Sequence, residues 1–269
     1  FPRNAKTLPL SPQARAMLGI DAERAEPAAI MQAILRMEVD LLYFGGIGTY
    51  VKASTESQAD AGDRANDAIR VDGRDIRARV VGEGANLGVT QAGRIEAARQ
   101  GIRINTDALD NSAGVSTSDH EVNIKILLAA AEADGVLTRR ARDELLREMT
   151  DEVAALVLRD NAQQSLAVTL EQMGGAEDLA AQAVLMERLE KAGLLDRAVA
   201  GLPDAAAMAR RIGSGEALTR PEIAALLPFA KLWLADELGE SNLPDEPALL
   251  PALMAYFPKP LQEHYAPYA

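Results

Sequence analysis

The sequence predicts an α/β fold, in which part of a doubly wound, Rossmann-like parallel sheet is followed by an α-helical C-terminal region. Up to about residue 115, short apolar runs alternate with helical patterns and glycine-rich turns. This rhythm is typical of parallel strands joined by crossover helices. From Ser116 onward the patterns are almost wholly helical. We therefore expect residues 1–115 to form the later part of an α/β domain and residues 116–269 to form a helical region.

Helices and strands are expected to alternate in residues 1–115. Apolar residues at helical spacing predict helices, and uninterrupted apolar runs predict buried strands. The first two predicted strands end in glycine-rich turns, beyond which sheets of this kind bind their ligands. The predicted helices are Ser11–Leu18, Pro27–Met37 and Thr90–Gln100, and the predicted strands are Val39–Phe44, Ile76–Val81 and Gly101–Asn105.

Glycines separate the helical patterns of residues 116–269. Ser118, followed three residues later by Glu121, predicts a capping box at the start of the first helix. From Leu243 onward the chain is rich in proline, which predicts a short helix between extended pieces. The other predicted helices are Thr138–Arg159, Asn161–Met173, Asp178–Ala192 and Pro221–Leu238.

Charge and composition exclude several classes of function. A net charge of −12, from 28 basic and 40 acidic residues, repels nucleic acids and anionic membrane surfaces. The chain has no cysteine, which excludes disulfides and thiolate nucleophiles, and its apolar runs are too short to cross a membrane. We therefore expect a soluble, cytoplasmic protein that binds neither nucleic acid nor membrane. Its start at Phe1 rather than Met suggests a piece of a longer chain.

Neither glycine-rich turn matches the dinucleotide-binding fingerprint, in which three glycines let backbone amides approach a pyrophosphate. In the turn that contains Gly82, Gly84 and Gly88, the third glycine falls one residue late. The turn that contains Gly46 and Gly48 has no third member. Each turn on its own is explained more often by a tight strand end than by a phosphate cradle. Both readings stay open at this point.

A pair of segments carries the more specific signal. Val81–Asn86 and Asn111–Ser118 each follow a predicted strand, and the second leads into a helix. Their small residues allow a flat ring to approach the backbone, and asparagine offers a donor and an acceptor together, which suits a carboxamide. Free amides at a helix start, with a hydroxyl beside them, suit a carboxylate. The segments predict a site for a polar ring and an anion. No metal is expected, because Asp107, Asp110 and Asp119 lack the spacing of a calcium loop.

At these residues the sequence resembles the glutamate dehydrogenase family. Glu83–Asn86 matches that family's Glu-Gly-Ala-Asn stretch, and Asn111–Ser118 resembles the stretch that ends its nucleotide-binding domain. The likeness is greater to the large, NAD-specific bacterial type. It is carried, in order, by Gly45–Lys52, Gly62–Asp67, Asn105–Val115, Ser118–Asn123 and Met149–Val153.

The resemblance implies part of an enzyme that oxidises L-glutamate to 2-oxoglutarate and ammonia with NAD as the hydride acceptor. Asn86 and Asn111 are then expected near the nicotinamide, and Ser118 at the side-chain carboxylate of glutamate. The family's catalytic lysines and aspartate belong to an earlier domain, so we expect no catalytic residue here. The remaining residues expected in the cofactor site are Gly46, Gly48, Glu83 and Gly84.

Two non-catalytic functions remain as alternatives to this interpretation. The acidic helical region suits an assembly module that mediates homo-oligomer contacts, with the α/β part as a scaffold. A nucleotide-binding regulator without catalysis also fits. Glu83 could act as a general base, or its carboxylate could accept backbone hydrogen bonds at a strand end. Ser118 could cap a helix as well as contact the substrate.

Overall fold

The computed structural model describes residues 5–268, which divide into two compact units. Unit 1 contains the chain up to Asn111 together with Val168–Phe229, and unit 2 contains Ser112–Ala167 and the chain from Ala230. The predicted α/β class is confirmed, since parallel strands are followed by a helical C-terminal region. The expected domain limit at residue 115 stays a prediction. The contacts group the helical residues Val168–Phe229 with the strands.

Within the described residues, unit 1 contains three small sheets. The largest has three parallel strands in the order β3–β6–β7, with Leu41 opposite Val80 and Val81 opposite Ile104. β4 and β5 are also parallel, whereas β1 and β2 are antiparallel. The strands are β1 Leu8–Pro9, β2 Arg24–Ala25, β3 Leu41–Phe44, β4 Val51–Lys52, β5 Val71–Asp72, β6 Val80–Glu83 and β7 Arg103–Ile104.

The helices begin where local capping predicts in several places. The side chains of Ser11, Thr90 and Thr138 each accept a hydrogen bond from a backbone amide in the first turn of a helix. This bond satisfies an N–H group that has no partner within the helix. The first helices are α1 Pro12–Leu18, α2 Pro27–Leu35, α3 Gln91–Arg99, α4 Asp107–Asp110, α5 Ala113–Ala133, α6 Arg139–Glu148 and α7 Thr150–Gly174. The later ones are α8 Leu179–Lys191, α9 Arg197–Ala200, α10 Ala205–Ser214, α11 Arg220–Gly239, α12 Leu250–Met254 and α13 Lys259–His264.

Each unit has its own apolar core. In unit 1 the inward side chains of the parallel strands, among them Phe44, Val81 and Ile104, pack together. Burial of this apolar surface holds the strands in one register, because a slip of one residue turns the inward side chains outward. In unit 2 the core includes Leu128 and Leu261. In the described part of the chain, no helix is both long and apolar enough to cross a lipid bilayer.

Several predictions about elements are wrong. The proline-rich tail, predicted to hold one short helix between extended pieces, forms the two helices α12 and α13 together with short 3₁₀ turns. The second parallel strand is Val80–Glu83 rather than Ile76–Val81, so its glycine lies within the strand and not after it. The predicted helices Thr138–Arg159 and Asn161–Met173 are divided at a different place: α6 ends before the buried Met149, and α7 continues without a break from Thr150 to Gly174. The capping box at Ser118 is also wrong, because α5 begins five residues earlier, at Ala113. Ser112, which follows the short α4, already has helical backbone angles, and α5 continues from it at Ala113.

Candidate functional site

The two predicted asparagines meet beyond the C-terminal edge of the main sheet. Asn86 follows β6, and Asn111 follows β7 after the single turn of α4. The Asn111 Nδ2 donates a hydrogen bond to Asn86 Oδ1. Because β6 and β7 are neighbouring parallel strands, their C-terminal ends lie at the same edge of the sheet. The structure thus brings together the two segments that the sequence singled out.

The asparagine pair leaves an acceptor oxygen and a donor nitrogen for a ligand. Among residues 5–268, no protein group bonds to Asn111 Oδ1 or to Asn86 Nδ2. Asn86 is exposed and Asn111 is half-buried. A primary carboxamide has two N–H donors and a carbonyl acceptor, so it can bond to one acceptor and one donor group at the same time. The pair therefore has the chemical form that matches a carboxamide such as that of nicotinamide.

Glu83 is the fully buried anchor beneath this edge. Its carboxylate accepts bonds from Arg94 Nε at 2.7 Å and Arg94 Nη2 at 2.9 Å, and a third from the Val89 amide at 3.0 Å. Burial raises the pKa of the Glu83 carboxyl above its ordinary value, while the bonds and charge of Arg94 act in the opposite direction. The side chain fixes the turn after β6 from below. Glu83 as a direct cofactor contact stays a prediction.

The same turn is held from the other side by Asp107. One oxygen of its carboxylate accepts the Leu87 amide at 2.8 Å, and the other lies 3.1 Å from Arg94 Nη2. Leu87 adopts a left-handed conformation with φ 65°, which a branched side chain seldom takes. The bonds at Leu87 and Val89 stabilise the turn in this shape. The Asp107 carboxylate therefore stabilises this turn.

Asp110 joins the turn after β7 to β6. Its carboxylate accepts the Glu83 amide at 2.9 Å and Asn105 Nδ2 at 2.6 Å. Burial raises the pKa of the Asp110 carboxyl, and the two bonds act against that rise. Because Asn111 is the next residue, the position of Asp110 fixes the start of the segment that carries the asparagine side chain.

Glycine occupies the positions in the two turns for different physical reasons. Gly48 has φ 143°, which residues with a side chain rarely adopt, and a Cβ atom there would lie 2.7 Å from Asn66 Nδ2, so the local structure by itself explains this glycine. At Gly46 a Cβ atom would meet nothing within 4 Å, which leaves room for a ligand to approach the backbone. At Gly84 a Cβ atom would overlap the hydroxyl of Tyr43, whose ring lies across the strand end.

We expect Gly84→Ala to lower the free energy of unfolding by less than about 1 kcal/mol. The new methyl group meets only the outer end of the Tyr43 side chain, which is 63% exposed and can turn toward solvent. In a Tyr43→Leu background, which removes the ring, the remaining cost should disappear. Gly114→Ala is the control inside α5, where the new Cβ meets no atom within 4 Å. Urea unfolding of the four variants measures the effects; a cost at Gly84 above about 2 kcal/mol would contradict this explanation.

Ser118 lies in unit 2, exposed on the second turn of α5. The free amides of this helix start belong to the turn that follows Ser112, so they do not surround Ser118. The side chain of Ser112 instead accepts a bond from Asn161 Nδ2 at 2.9 Å. Ser118 therefore does not lie at a helix start whose free amides could bind an anion. Its contact with the substrate carboxylate rests on the resemblance and stays a prediction.

Three side chains at the site were missed by the sequence interpretation. They are Arg94, Asn105 and Arg220, which bond to Glu83 and Asp110 or to one another. An arginine on the inward face of a predicted helix was a usable signal for Arg94, because a buried guanidinium requires a carboxylate partner. Arg220 lies 115 residues from its partner Asn105, and no local pattern indicates such a pairing.

Comparison with known families identifies the chain. Residues 1–171 match the family described as "Bacterial NAD-glutamate dehydrogenase, catalytic domain", and residues 215–268 match "Glutamate dehydrogenase, C-terminal". The chain belongs to the bacterial NAD-glutamate dehydrogenase family. The resemblance seen in the sequence is thereby confirmed.

Curated relatives agree with this assignment. Proteins named NAD-specific glutamate dehydrogenase are 44% identical in Halomonas elongata, over 98% of this chain, and 46% identical in Mycobacterium tuberculosis, over 99%. The one from Pseudomonas aeruginosa is 46% identical over 98% of the chain. The aligned region is 16% to 17% of each relative's length. The chain therefore spans about a sixth of these family members.

Proposed function

We propose that this chain supplies one wall of the cofactor site of an NAD-dependent glutamate dehydrogenase. The reaction converts L-glutamate, NAD⁺ and water to 2-oxoglutarate, ammonia and NADH. The observation that carries the proposal is the contact between Asn86 and Asn111 at the ends of neighbouring strands. It occurs in a chain whose family is defined by this enzyme class.

The residues present fit a nicotinamide cofactor. NAD, when bound, supplies the acceptor for a hydride. The protein's contribution is to hold the ring: the free donor of Asn86 and the free acceptor of Asn111 bond to the carboxamide and set its orientation. The open backbone at Gly46 allows close approach to the cofactor. Correct orientation supports the rate, because hydride transfer needs the donor and acceptor carbons nearly in contact.

Glu83, Gly48 and Gly84 support this site from beneath in our proposal. Glu83 fixes the turn after β6 through Arg94 and Val89, while Gly48 and Gly84 allow the close packing of Asn66 and Tyr43. We assign no catalytic residue to the chain. The proton transfers of the reaction belong to groups outside it.

Titration calorimetry with NAD⁺, with and without 2-oxoglutarate, tests the proposal. A full-length enzyme that carries this sequence should bind NAD⁺, more tightly with 2-oxoglutarate present, and should form NADH from L-glutamate. No binding, together with a concentration-dependent oligomer, would identify an assembly module instead. Tight binding of NAD⁺ by a monomer that oxidises no glutamate would identify a regulator.

We also propose that the enzyme is a homo-oligomer in the cytoplasm. Large apolar side chains are exposed along α7, and subunit contacts are a common use of such surface. Sedimentation at several concentrations tests the assembly; a monomer throughout would contradict it. The exposed side chains on α7 are Leu158, Leu166, Leu170 and Met173.

Ser118→Ala is expected to weaken selection for glutamate over amino acids that lack a side-chain carboxylate. A hydrogen bond to a charged group contributes about 1.5–3 kcal/mol, so the preference should fall on the order of 10-fold or more. Thr117→Ala is the neighbouring control, because the Thr117 hydroxyl already donates to the Ala113 carbonyl at 2.7 Å. Ratios of kcat/KM for glutamate and norvaline measure the effect, and an unchanged ratio removes Ser118 from the substrate site.

A further inference from the structure

Arg220, the first residue of α11, reaches the end of strand β7. Its Nε donates to Asn105 Oδ1 at 2.6 Å, and its Nη1 donates to Thr169 Oγ1 at 2.9 Å and Gln172 Oε1 at 3.4 Å on α7. All four residues belong to unit 1. The guanidinium thus connects two helices of the later chain to the turn that leads to Asn111.

The contact continues through Asn105 to the asparagine pair. Asn105 uses both ends of its amide: the oxygen accepts from Arg220, and the nitrogen donates to Asp110 at 2.6 Å. Asp110 in turn accepts the Glu83 amide at 2.9 Å. A continuous series of hydrogen bonds therefore runs from Arg220 to the residue before Asn111.

The two charged groups at its ends determine which way the Asn105 amide points in this series of hydrogen bonds. A guanidinium only donates and a carboxylate only accepts, so Arg220 and Asp110 permit a single orientation of the Asn105 amide. Burial lowers the pKa of Arg220, and the nearby Asp110 carboxylate opposes that change. Arginine keeps its charge in proteins. The amide of Asn105 is therefore held rigidly between two opposite charges.

We infer that Arg220 is a positioning residue for the Asn86–Asn111 pair. It acts through Asn105 and Asp110 and does not touch the cofactor itself. This inference rests on the proposed function and extends it, because Arg220 lies in the segment that matches the C-terminal family region. That segment then has a role in the geometry of the cofactor site, 109 residues after Asn111 in the sequence.

The start of α11 has other anchors, so an Arg220 variant is expected to fold. The Glu222 carboxylate accepts hydrogen bonds from both Nη atoms of the buried Arg211, at 2.8 Å and 3.1 Å, and from the Thr219 amide at 2.7 Å. Gln91 Nε2 donates to the Pro221 carbonyl at 3.1 Å. A local effect on the asparagine pair can therefore be separated from detachment of the helix.

A double-mutant cycle in a full-length enzyme that carries this sequence tests the inference. Arg220→Gln should lower kcat/KM for NAD⁺ by roughly 5- to 50-fold, with a larger primary isotope effect from 2-deuterated glutamate, because the ring is held less well. In an Asn111→Ala background the same change should cost less than about 2-fold, since the group it positions is gone. Arg220→Lys, which keeps the charge and one donor, should recover part of the loss.

Arg99→Gln is the matched control, because Arg99 forms an exposed ion pair with Glu216 at 3.2 Å. It should match the parent in kinetics. Parental kinetics for Arg220→Gln, or an equal cost in both backgrounds, would overturn the inference. Asn105→Asp provides a second variant, since it sets a carboxylate against Asp110 and should reproduce the Arg220→Gln defect. A parent enzyme that binds no NAD⁺ would instead refute the proposed function.

Discussion

Replacing Glu83 with glutamine is expected to lower the free energy of unfolding by about 3 kcal/mol. The Glu83 carboxylate is fully buried and forms two bonds with Arg94. Glutamine keeps the size but removes the charge, and its amide N–H group faces the N–H groups of the guanidinium. Breaking a buried pair by removing one partner costs about 3–5 kcal/mol. The low end applies, because Arg94 keeps Asp107 at 3.1 Å.

The exposed pair between Arg79 and Asp40 provides the control. Their side chains are 80% and 87% exposed, and the contact is 3.0 Å long. Asp40→Asn should change stability by less than about 1 kcal/mol, because solvent screens such a pair. Urea unfolding measures both variants, and hydrogen exchange at the Val89 amide reports the local loss. A Glu83→Gln variant as stable as Asp40→Asn would show that the buried pair contributes little.

An Arg94→Met background isolates the pair itself. With the guanidinium removed, Glu83→Gln no longer leaves a buried cation without its partner, so its cost should fall to less than half. An equal cost in both backgrounds would assign the effect to the lost bond with the Val89 amide instead.

Local sequence chemistry predicts much of this fold. The helices predicted to start at Ser11, Thr90 and Thr138 do start there, and each of these side chains caps its helix. Such starts are predictable because capping depends on residues only three positions apart. The parallel pairing of β6 with β7 follows from the crossover helix α3 between them, whereas no α-helix of the described chain lies between β3 and β6. The meeting of Asn86 and Asn111 follows in turn, since neighbouring parallel strands end at one edge.

Features that depend on distant residues could not be predicted. The pairs β1–β2 and β4–β5 have two residues in each strand, too few for a periodic pattern. The start of α5 depends on α4, whose single turn carries no helical periodicity. The partners of Glu83 could not be predicted for a similar reason. The sequence indicates only a carboxylate at a strand end, and Arg94 reaches that carboxylate because α3 packs on the sheet.

Asn111→Ala is expected to slow hydride transfer by roughly 10- to 1000-fold in a full-length enzyme that carries this sequence. The lost side chain supplies both the acceptor for the carboxamide and the donor that orients Asn86. Removal of one positioned polar contact in a closed active site costs about 10²–10³ in kcat in comparable cases. Pre-steady-state formation of NADH, with protonated and 2-deuterated glutamate, separates the chemical step from product release.

Asn242→Ala is the control for this variant, because Asn242 lies in the turn after α11 and its side chain caps no helix. It should match the parent in every rate. Asn86→Ala should produce a smaller defect, and the double variant should be little worse than Asn111→Ala alone, since the two side chains act as one unit. If hydride transfer in Asn111→Ala equals that of Asn242→Ala, the pair at the strand ends does not hold the ring. The contact between the two asparagines then only joins two turns, and the cofactor site must be sought elsewhere in the enzyme.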